Sequence, residues 1–512
     1  MVQYKNPVLP GFHPDPSVTR VGDTFYLVNS TFAYFPGVPI YESRDLVNWT
    51  QIGNVLSRNE NLPLGSCAHS NGIYAPTIRY HEGTYYMITT NIENGGNFIV
   101  TAERPEGPWS DPHWLPEADG IDPSLFFDDD GKCYYCGTKG DPNGTYYGDN
   151  IIYVRELDVT DFTFVGEEFV AWKGALRDAA WPEGPHIYKR NGYYYVVNAE
   201  GGTGPDHAVV VARSRDIRGP YEGYKSNPVM THRHMGYTCP VVAVGHADLV
   251  DDADGNWYAV MLAMRPMEGC SNLGRETFVA RVEWQNDWPV FNPGEGRLLE
   301  SGTLPLPEGK SYTDGTSYHF YENRLPYEML MLRNPEPDMY SLTEKYGWLR
   351  LSVRKPSLRE QSNPSYIGVR QTSMEFTAET MLRFVPEAGE EAGLALVQSN
   401  EANLRLTYTK SGEGTELRVV RCEKGQEMLV VSIPAKSERI KLRLCQRGQQ
   451  VRFFAALDDQ PEQELSAVVD AHYLSTERAG GFVGCTVGMY ASGNGWDRGN
   501  KAYFAWFEYQ NL

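Results

Sequence analysis

Three carboxylates stand out because each opens a short segment of one recurring design. The segments are Asp15-Pro-Ser-Val, Asp122-Pro-Ser-Leu-Phe and Glu183-Gly-Pro-His-Ile, and two more begin Tyr74-Ala-Pro-Thr-Ile and His246-Ala-Asp-Leu-Val. Carboxyl groups held in different surroundings can divide acid–base work. One keeps a proton and gives it to a leaving oxygen, while another stays ionised and takes a proton from water. A competing reading is that Asp at a strand start merely forms a turn. That accounts for Asp15 and Asp122 but not for Glu183, because Glu is a poor turn former.

The five segments share a plan that would bring these groups together. Each runs from a polar start through a strand to a glycine turn and then into an aromatic strand. The turns are Gly22-Asp23, Glu82-Gly83, Asp130-Gly131, Asn191-Gly192 and Asp254-Gly255. Asn-Gly and Asp-Gly suit a type I′ hairpin, in which both central residues need positive φ. The strands that follow, such as Thr84-Tyr-Tyr-Met-Ile and Tyr193-Tyr-Tyr-Val-Val, have β character. A period of roughly 45–65 residues is that of propeller blades. Asp122, Glu183 and His246 each lie nine residues before their turn glycine, and Asp15 lies seven before Gly22. Equivalent positions on the innermost strands meet near a propeller axis, so three acids and a histidine should gather at one channel mouth. The second blade has Ala75 there.

The expected fold class is all-β: a five-bladed β-propeller over residues 1–300, a linker over 301–317 rich in Gly, Pro, Ser and Thr, and a β-sandwich over 318–512. The sandwich is read from closely spaced strands such as Ile440-Lys-Leu-Arg-Leu, where apolar and charged residues alternate as on a half-buried sheet. With 50 Gly, 33 Pro and 33 Tyr, the composition suits short strands and tight turns. A net charge of −20 speaks against nucleic acid and anionic membrane surfaces as partners, and neutral sugars remain compatible. Cys133 and Cys136 spell a CxxC pair within a strand-like run, where residues three apart point to opposite faces. A zinc or redox site there is not expected. The acidic stretches Asp128-Asp-Asp-Gly and Asp251-Asp-Ala-Asp-Gly lack the spacing of a calcium loop and read as turns. The amino terminus lacks an apolar signal core, so a cytoplasmic protein with free thiols is expected.

From Gly11-Phe-His-Pro-Asp-Pro-Ser onward the chain resembles glycoside hydrolase family 43, the β-xylosidases and α-L-arabinofuranosidases. The likeness continues through Ser30-Thr-Phe-Ala-Tyr-Phe-Pro-Gly, Gly120-Ile-Asp-Pro-Ser-Leu-Phe, Trp181-Pro-Glu-Gly-Pro, Gly245-His-Ala-Asp and Leu273-Gly-Arg-Glu-Thr. It reaches the second domain at Leu332-Arg-Asn-Pro and Gly488-Met-Tyr-Ala-Ser-Gly-Asn-Gly. The resemblance implies a jelly-roll, concanavalin-like sandwich and an inverting exo-hydrolase that releases terminal xylose or arabinofuranose from oligosaccharides. It implies Asp15 as the base, Glu183 as the acid and Asp122 as the group that raises the acid's pKa. It also implies that Arg275 contacts sugar and carboxylates. His246 would lie by a structural calcium ion held largely through water, and no organic cofactor is implied. Inversion needs carboxyls about 6.5–9.5 Å apart, whereas retention would need about 5–5.5 Å.

Two departures bear on the pocket. Many relatives have Trp-Ala-Pro-Asp where this chain has Tyr74-Ala-Pro-Thr77, and Ala33 replaces a bulkier or acidic residue. Phe32, Tyr34, Phe35 and Tyr74 are aromatic candidates for sugar contact, and Trp496 in Ser492-Gly-Asn-Gly-Trp is the candidate for a sandwich loop that narrows the site. Endo-action on arabinan or xylan and carbohydrate binding without catalysis are the competing functions. A homo-oligomer is compatible with an enzyme of this size, but no segment locates an interface.

Overall fold

The computed structural model describes residues 1–236, 238–309, 316–412 and 414–512. Five antiparallel sheets form the first part. Their innermost strands are Ser17–Val21, Thr77–His81, Ile121–Phe127, Glu183–Arg190 and Val242–Asp251, and each sheet continues outward in hairpin order. These are blades I to V. Second strands such as Tyr85-to-Asn91 and Tyr258-to-Met264 are buried on both faces, because each blade is covered by its neighbours. That is why they read as apolar runs and not as clean alternation.

Four of the five glycine turns fall into two kinds, and Gly22-Asp23 closes a two-residue hairpin with positive φ at Gly22 alone. Glu82-Gly83 and Asn191-Gly192 have positive φ at both residues and close two-residue hairpins. Asp130-Gly131 and Asp254-Gly255 instead sit in longer loops, 128–132 and 252–256, bounded by the pairs Phe127–Cys133 and Asp251–Trp257. There Asp128 and Asp252 turn their carboxylates onto loop N–H groups: Asp129 N donates to Asp128 at 2.7 Å and Asn256 N to Asp252 at 2.9 Å. Cys133 and Cys136 do point to opposite faces, into separate hydrophobic clusters.

The chain start closes the ring. Val2–Lys5 pairs with Ser301–Leu304, and the Asn6 side chain brackets blade V by donating to Val279 O and accepting from Val279 N, both at 2.9 Å. The first residues of the expected linker are therefore a strand held on the propeller. Residues 310–315 of it lie outside the described residues, and Thr316–His319 already pairs with Lys501–Asn511 of the sandwich.

The sandwich has an eight-stranded and a six-stranded antiparallel sheet. Ile440, Leu442 and Leu444 are buried while Lys441 and Arg443 lie on the wetter face, as the alternation requires. The only α-helix among the described residues is Thr476–Ala479. No helix is long and apolar enough to cross a membrane. Propeller and sandwich share one core cluster and are stitched by backbone: Met331–Leu332 pairs with Tyr34–Phe35. Arg333, fully buried, donates across the seam to Cys67 O and within the sandwich to Ser362 O and Asn400 Oδ1.

A buried carboxylate ties the blades at the axis. Asp248 of blade V accepts from Ser17 Oγ and Val18 N of blade I, from both Arg79 terminal nitrogens of blade II at 2.9 and 3.1 Å, and from Tyr188 OH of blade IV. Burial alone would raise its pKa, but Arg79 and the hydrogen bonds outweigh burial and hold it low. Removing one partner of such a pair leaves the other charge buried and unpaired, at a cost of about 3–5 kcal/mol. Asp248→Ala is therefore expected to lower the thermal unfolding midpoint by several degrees, read by circular dichroism. An unchanged midpoint would show that the axial network is not a structural tie.

Candidate active site

Four of the five inner strands begin with the same backbone device. The first regularly paired residues are Ser17, Thr77, Ser124, His186 and Asp248. Two residues before each stand Asp15, Ala75, Asp122, Gly184 and His246. Asp15, Asp122, Gly184 and His246 all have φ between 51° and 54°, and β-bulges interrupt the ladders in blades III, IV and V. A bulge re-aims a side chain, and left-handed backbone at a non-glycine residue costs about 1–3 kcal/mol, a strain that concentrates at functional sites. This corrects the register inferred from the turns. The structural equivalent of Asp122 and His246 is Gly184, and Glu183 sits one residue earlier, paired with Ala199. The glycine is required: a Cβ at Gly184 would lie 2.7 Å from the His246 ring. Its N–H donates to Asp122 Oδ2 at 3.1 Å.

The device brings Asp15, Asp122, Glu183, His246 and Arg275 into one pocket, with Phe32, Tyr74, Thr203, His207 and Phe482 around them. Asp15 accepts from Arg275 Nη1 at 2.6 Å and from Ser30 Oγ at 2.6 Å, and His246 Nδ1 stands 4.0 Å away. The three acids do not feel the same field. Burial pushes the Asp15 pKa up, but Arg275, His246 and Ser30 together bring it below the ordinary aspartate value. Asp122 is pushed up to about 6, first by burial and then by Asp15, against the pull of His246, the Gly184 N–H and Arg275. Glu183 is raised well above the ordinary glutamate value by burial, then by Asp122 and Asp15. The surroundings thus favour the ionised form of Asp15 and the protonated form of Glu183. Separated proton affinities of this kind mark a base and an acid.

The aromatic candidates divide. Phe32 stacks on Phe12 and on Phe482, with ring centroids 5.9 and 6.1 Å apart, and Tyr74 meets Phe32 edge-on. Tyr34 and Phe35 are buried in the seam between the domains and do not line the pocket; the Tyr34 hydroxyl is engaged by His69 and Thr486. Trp496 is also misplaced by sequence reasoning. It is 61% exposed and follows the far end of the strand Thr486–Ser492, about 20 Å from the end beside the pocket at ~3.3 Å per residue. The sandwich residue that reaches the pocket is Phe482. Its N–H donates to Ser70 Oγ, its carbonyl accepts from Arg275 Nη2, and Gly484 packs so closely on Leu273 O that a Cβ would lie 2.2 Å away. Gly480-Gly-Phe-Val-Gly484 carries the same signal as the Trp496 stretch, an aromatic among glycines, so sequence could have offered it as a second candidate.

Comparison with known proteins decides what this arrangement belongs to. The profile "Glycosyl hydrolases family 43" matches residues 4–289, and "Beta xylosidase C-terminal Concanavalin A-like domain" matches 317–510. The chain belongs to glycosyl hydrolase family 43. It is 46% identical, over all of both chains, to a xylosidase/arabinosidase of Butyrivibrio fibrisolvens. It is 39% identical to a non-reducing end α-L-arabinofuranosidase of Bacteroides ovatus, covering 99% of this chain and 95% of that one. The solved structure titled "Bacteroides ovatus Xyloglucan PUL GH43B" superposes with a TM-score of 0.93 at 38% identity over the whole of both chains. The five-bladed propeller with a concanavalin-like sandwich is the architecture of these family 43 relatives, and the chain is a glycosidase.

The calcium expected beside His246 was tested against the side chains present. Among the described residues no three His, Cys, Asp or Glu side chains meet as a metal site. His246 is a single imidazole facing Asp15 and the Gly184 backbone. Any ion beside His246 would therefore be held largely by water, and the chemistry below is derived from this chain's own side chains. In this family 43 pocket the like charge of Asp122 helps keep the Glu183 proton in place. Asp122→Asn removes that repulsion, so the Glu183 pKa falls. Activity that needs protonated Glu183 is lost as pH rises through that pKa. The alkaline limb of the kcat/KM profile is therefore expected to move to lower pH in Asp122→Asn, and a limb that stays in place would rule out Asp122 as its cause.

Proposed function

We propose that the protein releases single pentose units, α-L-arabinofuranose or β-D-xylose, from the non-reducing ends of xylan- and arabinoxylan-derived oligosaccharides, with inversion. The observation that carries this reading is the meeting of Asp15, Asp122 and Glu183, with Arg275 donating to Asp15, inside a small pocket closed on one side by Phe482. The cavity is about 100 Å³, well below the ~300–1,000 Å³ of pockets for drug-sized ligands. It suits one sugar ring and not a threaded chain, which favours exo- over endo-action. The names of the Butyrivibrio and Bacteroides relatives supply the two pentoses.

The roles follow from the proton affinities. Glu183 gives its proton to the glycosidic oxygen as the anomeric C–O bond breaks. Asp15 takes a proton from a water whose oxygen bonds to the opposite face of the anomeric carbon, which inverts the configuration. Proton transfer by a positioned side chain contributes about 10²–10⁴-fold. Arg275 holds Asp15 ionised and in place, and Asp122 raises the acid's pKa. Phe32 and Tyr74 offer apolar ring surface to the sugar's C–H faces, and His246 lies under it. The eight cysteines are all free and seven of them are buried, which supports a reducing compartment such as the cytoplasm.

The decisive measurement is kcat/KM on aryl α-L-arabinofuranoside and aryl β-D-xyloside, with Glu183→Ala and Asp15→Ala beside the wild type. Turnover of at least one substrate is expected, with losses of about 10²-fold or more in Asp15→Ala. The loss in Glu183→Ala should be smaller on an activated aryl leaving group than on a disaccharide, since a good leaving group needs less protonation. Proton NMR of the first product should show the inverted anomer. Failure of both substrates, or variants that match wild type, would reject the assignment.

A further inference from the structure

Five arginines are buried among the described residues: Arg275, Arg333, Arg354, Arg370 and Arg405. Four of them are well partnered. Arg275, Arg354 and Arg405 each pair with a carboxylate, and Arg333 donates to three oxygens. Arg370 is the exception. It is 5% exposed, its Nε donates to Phe12 O at 2.6 Å, and neither terminal nitrogen bonds or pairs with a described residue. A guanidinium carries five N–H donors in a fixed fork, so most of this one is unmet. Burial works against its charge and lowers its pKa. A buried charge without a partner is costly, and a counter-charge relieves that cost.

Arg370 lines a cavity of about 360 Å³ at the seam between propeller and sandwich, against about 100 Å³ for the active-site pocket. The two cavities share no described lining residue. Leu9, Tyr41 and Trp49 wall the seam cavity from the propeller, and Tyr318 and Val369 from the sandwich. His13 also lines it, but Pro10 O engages its Nδ1 at 3.0 Å and Tyr41 OH its Nε2 at 2.9 Å. Burial and then Arg370 hold the His13 pKa well below the ordinary histidine value, so the ring is neutral. Arg370 is therefore the one full positive charge in the described lining. Glu328, which is exposed, is the one acid there, and no ion pair joins it to Arg370.

Apolar and aromatic walls with one placed charge are what a small-molecule site presents, and the volume lies within the ~300–1,000 Å³ of such sites. A planar fork with both terminal nitrogens open matches a carboxylate, which accepts two parallel N–H bonds. The rings of Trp49 and Tyr318 supply apolar surface for the body of the ligand. We infer that this seam cavity is a second binding site, for a small ring-bearing carboxylate, either an acidic sugar or an aromatic acid, whose carboxylate pairs with Arg370.

The test is isothermal titration calorimetry of the full chain with D-glucuronate and with benzoate at constant ionic strength. Saturable one-to-one binding of at least one probe is expected, in the millimolar range for so small a ligand. The tighter probe tells an acidic sugar from an aromatic acid. Arg370→Lys keeps the charge but loses the fork, and is expected to weaken binding by about 10-fold or more. Glu328→Gln removes the like charge from the lining and should tighten binding by about 2- to 5-fold. Melting temperature checks the fold of each variant, and Glu328→Gln, at an exposed position, decides the test should Arg370→Lys not fold. Binding of neither probe would mean that water alone meets the guanidinium. A dissociation constant unchanged in folded Arg370→Lys would place the anion elsewhere, at Arg275 if the probe also inhibits turnover competitively. Either result overturns the inference.

Discussion

Confinement of three buried carboxyl groups at the mouth of the propeller channel, with one guanidinium among them, is the constraint on which the rest of this structure depends. Desolvation disfavours every charge there, and like charges cannot all be ionised side by side. Arg275 is bonded to Asp15 and not to the other two acids, so the negative charge settles on Asp15. The cost of that arrangement falls on Glu183 and Asp122, whose pKa values rise. The same repulsion that would destabilise a random cluster of acids here separates a base from an acid.

Holding such a cluster takes a rigid frame, and the propeller supplies it from the axis outward. Asp248 joins four blades at their inner strands. Above it, left-handed strand starts turn Asp15, Asp122 and His246 toward the axis at a backbone conformation that few non-glycine residues adopt. In blade IV the bulge position is given to Gly184, which leaves room for the His246 ring and moves the acid to the preceding residue. Glu183 therefore reaches the cluster from a different height than the two aspartates, with a longer side chain.

The sandwich completes the site without supplying an acid or base to it. Its loop is clamped between Ser70 of blade II and the Leu273-Gly274 turn of blade V. Phe482 is thereby held against Phe32, with its carbonyl on Arg275. The same contact links the second domain to the guanidinium that keeps Asp15 ionised, so the seam between the domains is also part of the pocket's electrostatics.

By itself the sequence determined the repeat, the all-β class and the three acids and His246 that open its segments, and the family resemblance added Arg275. These are local patterns: a strand, a turn glycine and an aromatic strand recur at a fixed plan, and polar residues at strand starts mark positions that the repeat must superpose. Only the tertiary structure decided the one-residue offset of Glu183, because bulges shift register without changing composition. It alone separated Phe32 and Tyr74, in the pocket, from Tyr34 and Phe35, buried in the seam, since Phe32 lies at a left-handed turn of the backbone while Tyr34–Phe35 pairs with Met331–Leu332 of the sandwich. It also chose Phe482 over Trp496. Both are aromatic residues among glycines, and which end of one strand lies against the propeller depends on how two domains pack, a contact between residues some two hundred or more positions apart that no local pattern records.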